Sequence, residues 1–119
     1  MAILDEQHAS GFEDIFTAEA GSDGAVRLSL AGELDLSAAA ELHQQLTSRD
    51  VVEAADLEID LSQVTFLDSS NIGLLVAACK RMRAGGGSFS VRCGNGAPLR
   101  VLEISGLVEY LQVRPPVDH

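Results

Sequence analysis

The sequence predicts a single α/β domain, a mixed β-sheet with helices packed on it, and two observations support that prediction. The apolar residues change period along the chain, alternating one in two in some stretches and recurring at three or four in others. The 119 residues are 46% hydrophobic and contain neither an internal repeat nor a dividing linker, so they suffice for one core but not for two.

Residues 1–14 have no clear period and read as a flexible N-terminal arm, residues 15–113 as the domain, and 114–119 as a C-terminal tail. Ile15, Phe16 and Ala18 suggest a first strand that ends at the turn signal Gly21-Ser22-Asp23-Gly24. Val26, Leu28 and Leu30 alternate with Arg27 and Ser29, so the two segments read as an antiparallel hairpin. Leu42 and Leu46, with Ala38 and Ala39 a turn earlier, form a helical stripe. Asp35 or Ser37 can cap it, because either side chain can accept bonds from the first free amides. Leu57, Ile59 and Leu61 alternate with Glu58 and Asp60 as the next strand, with Val64 and Phe66 beyond it. A helix from about Ser70 to Arg83, apolar on most sides, stops at Gly85-Gly86-Gly87. Phe89, Val91 and Cys93 give another strand, and Pro98 starts a short helix carrying Leu99, Leu102 and Ile104. Leu111 and Val113 suggest a closing edge strand before Pro115-Pro116.

Charge and composition exclude several classes of function. The formal charge is −10, from 18 acidic and 8 basic residues, which argues against a nucleic-acid surface built on clustered Lys and Arg. Lys80, Arg81 and Arg83 form the nearest basic cluster, and they sit at a helix end, where cations offset the dipole. Cys79 and Cys93 lie in apolar patterns without ligand spacing and read as buried free thiols; His8, His43 and His119 form no metal motif. The chain shows no basic region with an apolar signal core and no apolar run of membrane-spanning length, so a soluble cytoplasmic protein without direct membrane insertion is expected.

Gly85-Gly86-Gly87 follows a helix and precedes a strand, the reverse of the order a phosphate loop needs, and no Gly-Lys-Ser/Thr appears. No nucleophile–base pair is visible, and enzyme activity, metals and cofactors are not expected. The segment VTFLDSSNIGLLVAAC, residues 64–79, is more informative, because Asp68, Ser69 and Ser70 form a polar corner between two apolar runs. The serines are expected to cap the helix, which is sufficient reason for such a corner and stabilises by roughly 1 kcal/mol. A second acidic turn, Gly32-Glu33-Leu34-Asp35, also follows a strand and precedes a helix. If those strands are neighbours, both loops open at one end of the sheet and bring Asp35 near Ser69.

LAGELDLSAAAEL, LEIDLSQVTFLDSSNIGLLVAACKRMRAGGGSFSV and LRVLEISGLVEYLQV together resemble the STAS domain of bacterial anti-sigma factor antagonists, over residues 15 to 113. The resemblance implies a STAS-like mixed sheet and a regulatory role without catalysis. It implies binding to an anti-sigma factor that is a serine kinase, release of a sigma factor, phosphorylation of Ser69, and reversal by a serine phosphatase. By position, Asp35 matches the acidic residue beside the phosphorylation site and Asp68 the motif aspartate, with Glu33, Ser70 and Asn71 completing the switch surface. The family usually has Gly where this chain has Asn71, a residue that tolerates unusual backbone angles less well than Gly. Its side chain is expected at the contact surface, with consequences for partner choice or phosphorylation rate. The family also includes adaptor subunits of membrane lipid-transport ATPases, which is the alternative reading. A small nucleotide-binding regulatory domain has only fold analogy behind it.

Overall fold

The computed structural model describes residues 16–21 and 23–116. The proposed N-terminal arm, Ile15, His8, His119 and the last part of the tail lie outside the described residues. The elements run β1 (Phe16–Ala20), β2 (Ala25–Leu34), a 3-10 turn (Leu36–Ala38), α1 (Ala39–Leu46), α2 (Arg49–Val52) and β3 (Asp56–Leu67). They continue with α3 (Ser69–Ala84), β4 (Ser88–Arg92), α4 (Ala97–Ile104) and β5 (Val113–Arg114). The expected hairpin, the strand–helix alternation and the closing strand are all present. Leu111 is fully buried but stands outside β5, in the turn before it.

The five strands lie side by side in chain order, β1 antiparallel to β2 and the rest parallel. Parallel neighbours in sequential order require crossovers, and right-handed crossovers put every helical connection on one face. The burial pattern agrees. Leu28, Ile59 and Val91 stand in register across three strands, fully buried beneath the helices. On the opposite face Arg27, Glu58 and Ser90 share the neighbouring row. There the Glu58 carboxylate accepts from Arg27 Nε at 3.1 Å and also pairs with Arg92.

Two differences from the sequence reading have local causes. The short helix α2 was not expected; Ser48 caps it, its hydroxyl accepting from the Val51 amide, while Val51 fills the core. β3 runs on to Leu67 where strict alternation ends at Leu61, because two register shifts give β3 extra residues opposite β2. Across the shifts, burial recurs at Leu61, Val64 and Leu67, three apart, and Phe66 faces outward. Gly32, at φ +83°, stands in β2 at the second shift, in a conformation open to glycine at little cost.

Helix α3 is the central helix of the layer, burying Ile72, Leu75, Cys79 and Met82 along one stripe. The basic residues at its end do more than offset its dipole. Arg81 Nη2 donates to the Leu46 carbonyl at 2.8 Å, satisfying a free acceptor at the end of α1. Arg83 donates to the Tyr110 carbonyl and stacks over that ring, 4.9 Å from its centre.

Candidate functional site

The parallel arrangement sends β2 and β3 out of the sheet at the same end, with Leu34 and Leu67 paired as their last residues. The loops after them are therefore adjacent, and the Asp68 amide donates to the Leu34 carbonyl at 3.1 Å. In open sheets of this kind the carboxyl ends of the strands are where ligands and partners are met.

Each loop is organised by one aspartate. Asp35 caps the 3-10 turn, its Oδ1 accepting from the Ser37 amide at 3.0 Å and the Ser37 hydroxyl at 2.6 Å. Of the two candidates, Asp35 is thus the cap and Ser37 its donor. The Ser37 hydroxyl bond, opposed by desolvation and helped to a lesser degree by backbone amides, holds the Asp35 carboxyl below its usual range. An aspartate at or below its ordinary value is ionised at neutral pH.

Asp68 is the N-cap of α3, its Oδ1 accepting from the Asn71 amide at 3.0 Å. Here the structure corrects the sequence reading: the serines are not the cap. Ser69 and Ser70 occupy the first two helical positions, both exposed. An aspartate in the cap already satisfies the free amide of the third position, so the hydroxyls are left facing solvent.

Asn71 needs a larger correction. It is fully buried, not at the contact surface, and its backbone is ordinary helix with no positive φ. Its Nδ2 lies 2.9 Å from the Leu34 carbonyl, 2.9 Å from the Asp35 carbonyl and 2.7 Å from Asp68 Oδ1. The side chain turns inward because three acceptors converge where a helix head meets a strand end. Glu33 is exposed opposite Phe66 and takes no part in these bonds.

Two exposed apolar residues escaped sequence reading: Leu36, 71% exposed in the 3-10 turn, and Phe66, 46% exposed just before Asp68. Both stand within two residues of the capping aspartates. No sequence signal marked Phe66 as exposed, because it shares the alternating phase of Val64, which is buried. Among the described residues no group of three metal-ligating side chains converges, and no helix is long and apolar enough to cross a membrane.

This arrangement can be set beside known proteins. The family described as MlaB, STAS domain, matches residues 17–113. The chain belongs to the STAS domain family. An anti-sigma-B factor antagonist of Bacillus subtilis is 28% identical over 88 residues, spanning 74% of this chain and 80% of that protein. A crystal structure of an anti-sigma factor antagonist from Mycobacterium paratuberculosis shares the fold at a TM-score of 0.76 and 28% identity, covering 87% of this chain and 86% of that one. The anti-sigma factor antagonist SpoIIAA in its unphosphorylated form superposes at 0.74 with 20% identity, over 87% and 89% of the two chains. This STAS domain therefore has the mixed sheet and helical layer the sequence led us to expect, and relatives that are anti-sigma factor antagonists.

Proposed function

We propose that this STAS domain is an anti-sigma factor antagonist. It docks on an anti-sigma factor serine kinase through the end of the sheet that carries Asp35 and Ser69, and so frees a sigma factor. The observation that carries this reading is the placement of Ser69, an exposed hydroxyl at the first position of α3, beside the loop that holds an ionised Asp35. Relatives named as anti-sigma-B factor antagonists support the role, and Bacillus SpoIIAA, which shares the fold, is known in a phosphorylated form. The protein acts by binding and contributes a substrate side chain, not a catalytic group.

In the unmodified state Ser69 presents a small neutral hydroxyl, which a partner can cover without burying any charge beyond that of the aspartates already there, and Leu36 and Phe66 add exposed apolar surface in the same two loops. Transfer of the terminal phosphoryl group of ATP to Ser69 Oγ, with its bond to the bridging oxygen broken, ADP leaving and the hydroxyl proton passing to the kinase, adds about −1.5 to −2 charges. The head of α3 favours that charge, so the fold has no cause to open. An interface that must cover it beside Asp68 and Asp35 without a paired cation loses several kcal/mol; about 3 kcal/mol is roughly two orders of magnitude in affinity. A serine phosphatase would restore binding.

Incubation with the cognate kinase and ATP should label Ser69, and Ser69→Ala should abolish labelling while the fold persists. Phosphate mapped to Ser70 would defeat the assignment. Absence of any labelling by that kinase would favour the adaptor reading instead.

A further inference from the structure

We propose that Asn71 is a positioning residue that fastens the Asp35 loop to the head of α3, so that a change at Ser69 is felt at Asp35. Its importance for docking rests on the function proposed above, but its geometry does not.

Locally, Asn71 is a poor choice. Asparagine is a weak helix former, and this one is fully buried with Oδ1 lacking any hydrogen-bond partner among the described residues. The amide cannot be turned over to relieve this, since Oδ1 would then face three oxygens. Two local costs at one position call for a tertiary reason. That reason is the Nδ2 group, whose two hydrogens are shared among three acceptors drawn from both loops.

Each acceptor already serves another part of the site. The Asp35 carbonyl also accepts from the Ala38 amide, the Leu34 carbonyl from the Asp68 amide, and Asp68 Oδ1 from the Asn71 amide. The Asn71 side chain therefore joins the start of the 3-10 turn, the end of β2 and the cap of α3 in one hydrogen-bonded unit. Ser37 then aims the Asp35 carboxylate from that fixed backbone. A partner meets two loops already held together, which lowers the ordering cost of binding.

The test uses the protein alone, without kinase or partner, so it can fail or succeed independently of the proposed function. Amide exchange and chemical shifts would be measured for wild type and Asn71→Ala, each with and without Ser69→Asp. In Asn71→Ala, the Ser37 and Ala38 amides should exchange faster by about tenfold or more, while those of Leu57, Ile59 and Val91 change by less than about threefold. In wild type Ser69→Asp should shift the amides of residues 34–38, and in the Asn71→Ala background that response should fall to a small fraction. Uniformly faster exchange throughout the sheet would make Asn71 a plain stability residue and overturn the proposal. An undiminished response at residues 34–38 would also overturn it. Asn71→Ser, with a shorter donor, is subject to the same two criteria if the alanine variant does not fold.

Discussion

Replacing Asp68 with alanine tests how the head of α3 is held, and its effect can be worked out bond by bond. Asp68 Oδ1 accepts from the Asn71 backbone amide and from Asn71 Nδ2. Losing the first is the ordinary loss of a cap, about 1 kcal/mol within a range of roughly 0.5–2. Losing the second adds little, because Nδ2 retains the Leu34 and Asp35 carbonyls for its two hydrogens. The Asn71 amide does lose its acceptor, and that is the cap loss already counted; Nδ2 keeps an acceptor for each hydrogen, so the penalty of roughly 1–3 kcal/mol for an unsatisfied buried group does not apply to it. The variant should therefore lose about 1 kcal/mol, a fall in Tm of about 4–6 °C for a domain near this size. Asp68→Asn keeps an acceptor oxygen but not the charge favoured at a helix start, and should lose only about 0.5 kcal/mol. Urea unfolding of the three proteins, with m-values compared, is the assay. A loss in Asp68→Ala below about 0.3 kcal/mol would mean the cap is idle. A loss above about 3 kcal/mol would mean that Asn71 depends on this one carboxylate, and the bond-by-bond reasoning would be wrong.

Three further outcomes follow from the same geometry. The Asp35 carboxyl should titrate below the unfolded value of about 3.9, and Ser37→Ala should raise its midpoint in a carbon-detected titration. Because the folded value is the lower one, this stabilisation is complete above the unfolded pKa and is lost as pH falls through the folded pKa; an unchanged midpoint in Ser37→Ala would remove Ser37 as the cause. Burial pushes both thiols up, partly offset by Arg83 at Cys79 and reinforced by Asp60 at Cys93, so a thiol reagent at pH 8 should react about a hundredfold more slowly than in urea. Gly87→Ala should cost about 1–3 kcal/mol in a denaturant titration, since its Cβ would lie 2.9 Å from the Ala55 carbonyl oxygen and 3.0 Å from Met82 Cε; full stability would show that this turn can yield.

Local chemistry made much of the molecule legible in the sequence. Alternation at Val26, Leu28 and Leu30 and at Leu57, Ile59 and Leu61 marks strands because side chains in a strand point to opposite faces whatever surrounds them. The stop of α3 at Gly85 and the start of α4 beside Pro98 are equally local. What the loops do at the site was less legible, and one repeated tripeptide shows why. Asp-Leu-Ser occurs at residues 35–37 and again at 60–62. In both, the aspartate Oδ1 accepts from the amide and the hydroxyl of the serine two residues on. Yet the first copy opens a helical segment at a strand end, while the second sits inside β3 beside a register shift. The same local bonds serve two different backbones, because strand pairing continues past residue 60 and ends at residue 34.

The sequence by itself therefore determined the layer architecture, the place of the polar corner and the exposed start of α3. Each of these depends on period, turn residues and capping within a few positions. Only the tertiary structure decided that Asn71 turns inward, that Phe66 turns outward and that Asp68, not a serine, closes the helix. The first two depend on acceptors and neighbours more than about 30 residues away, which β2 and β3 bring together by pairing in parallel, whereas the cap is a local bond to the Asn71 amide, and which of three adjacent polar residues makes it was settled by where β3 ends.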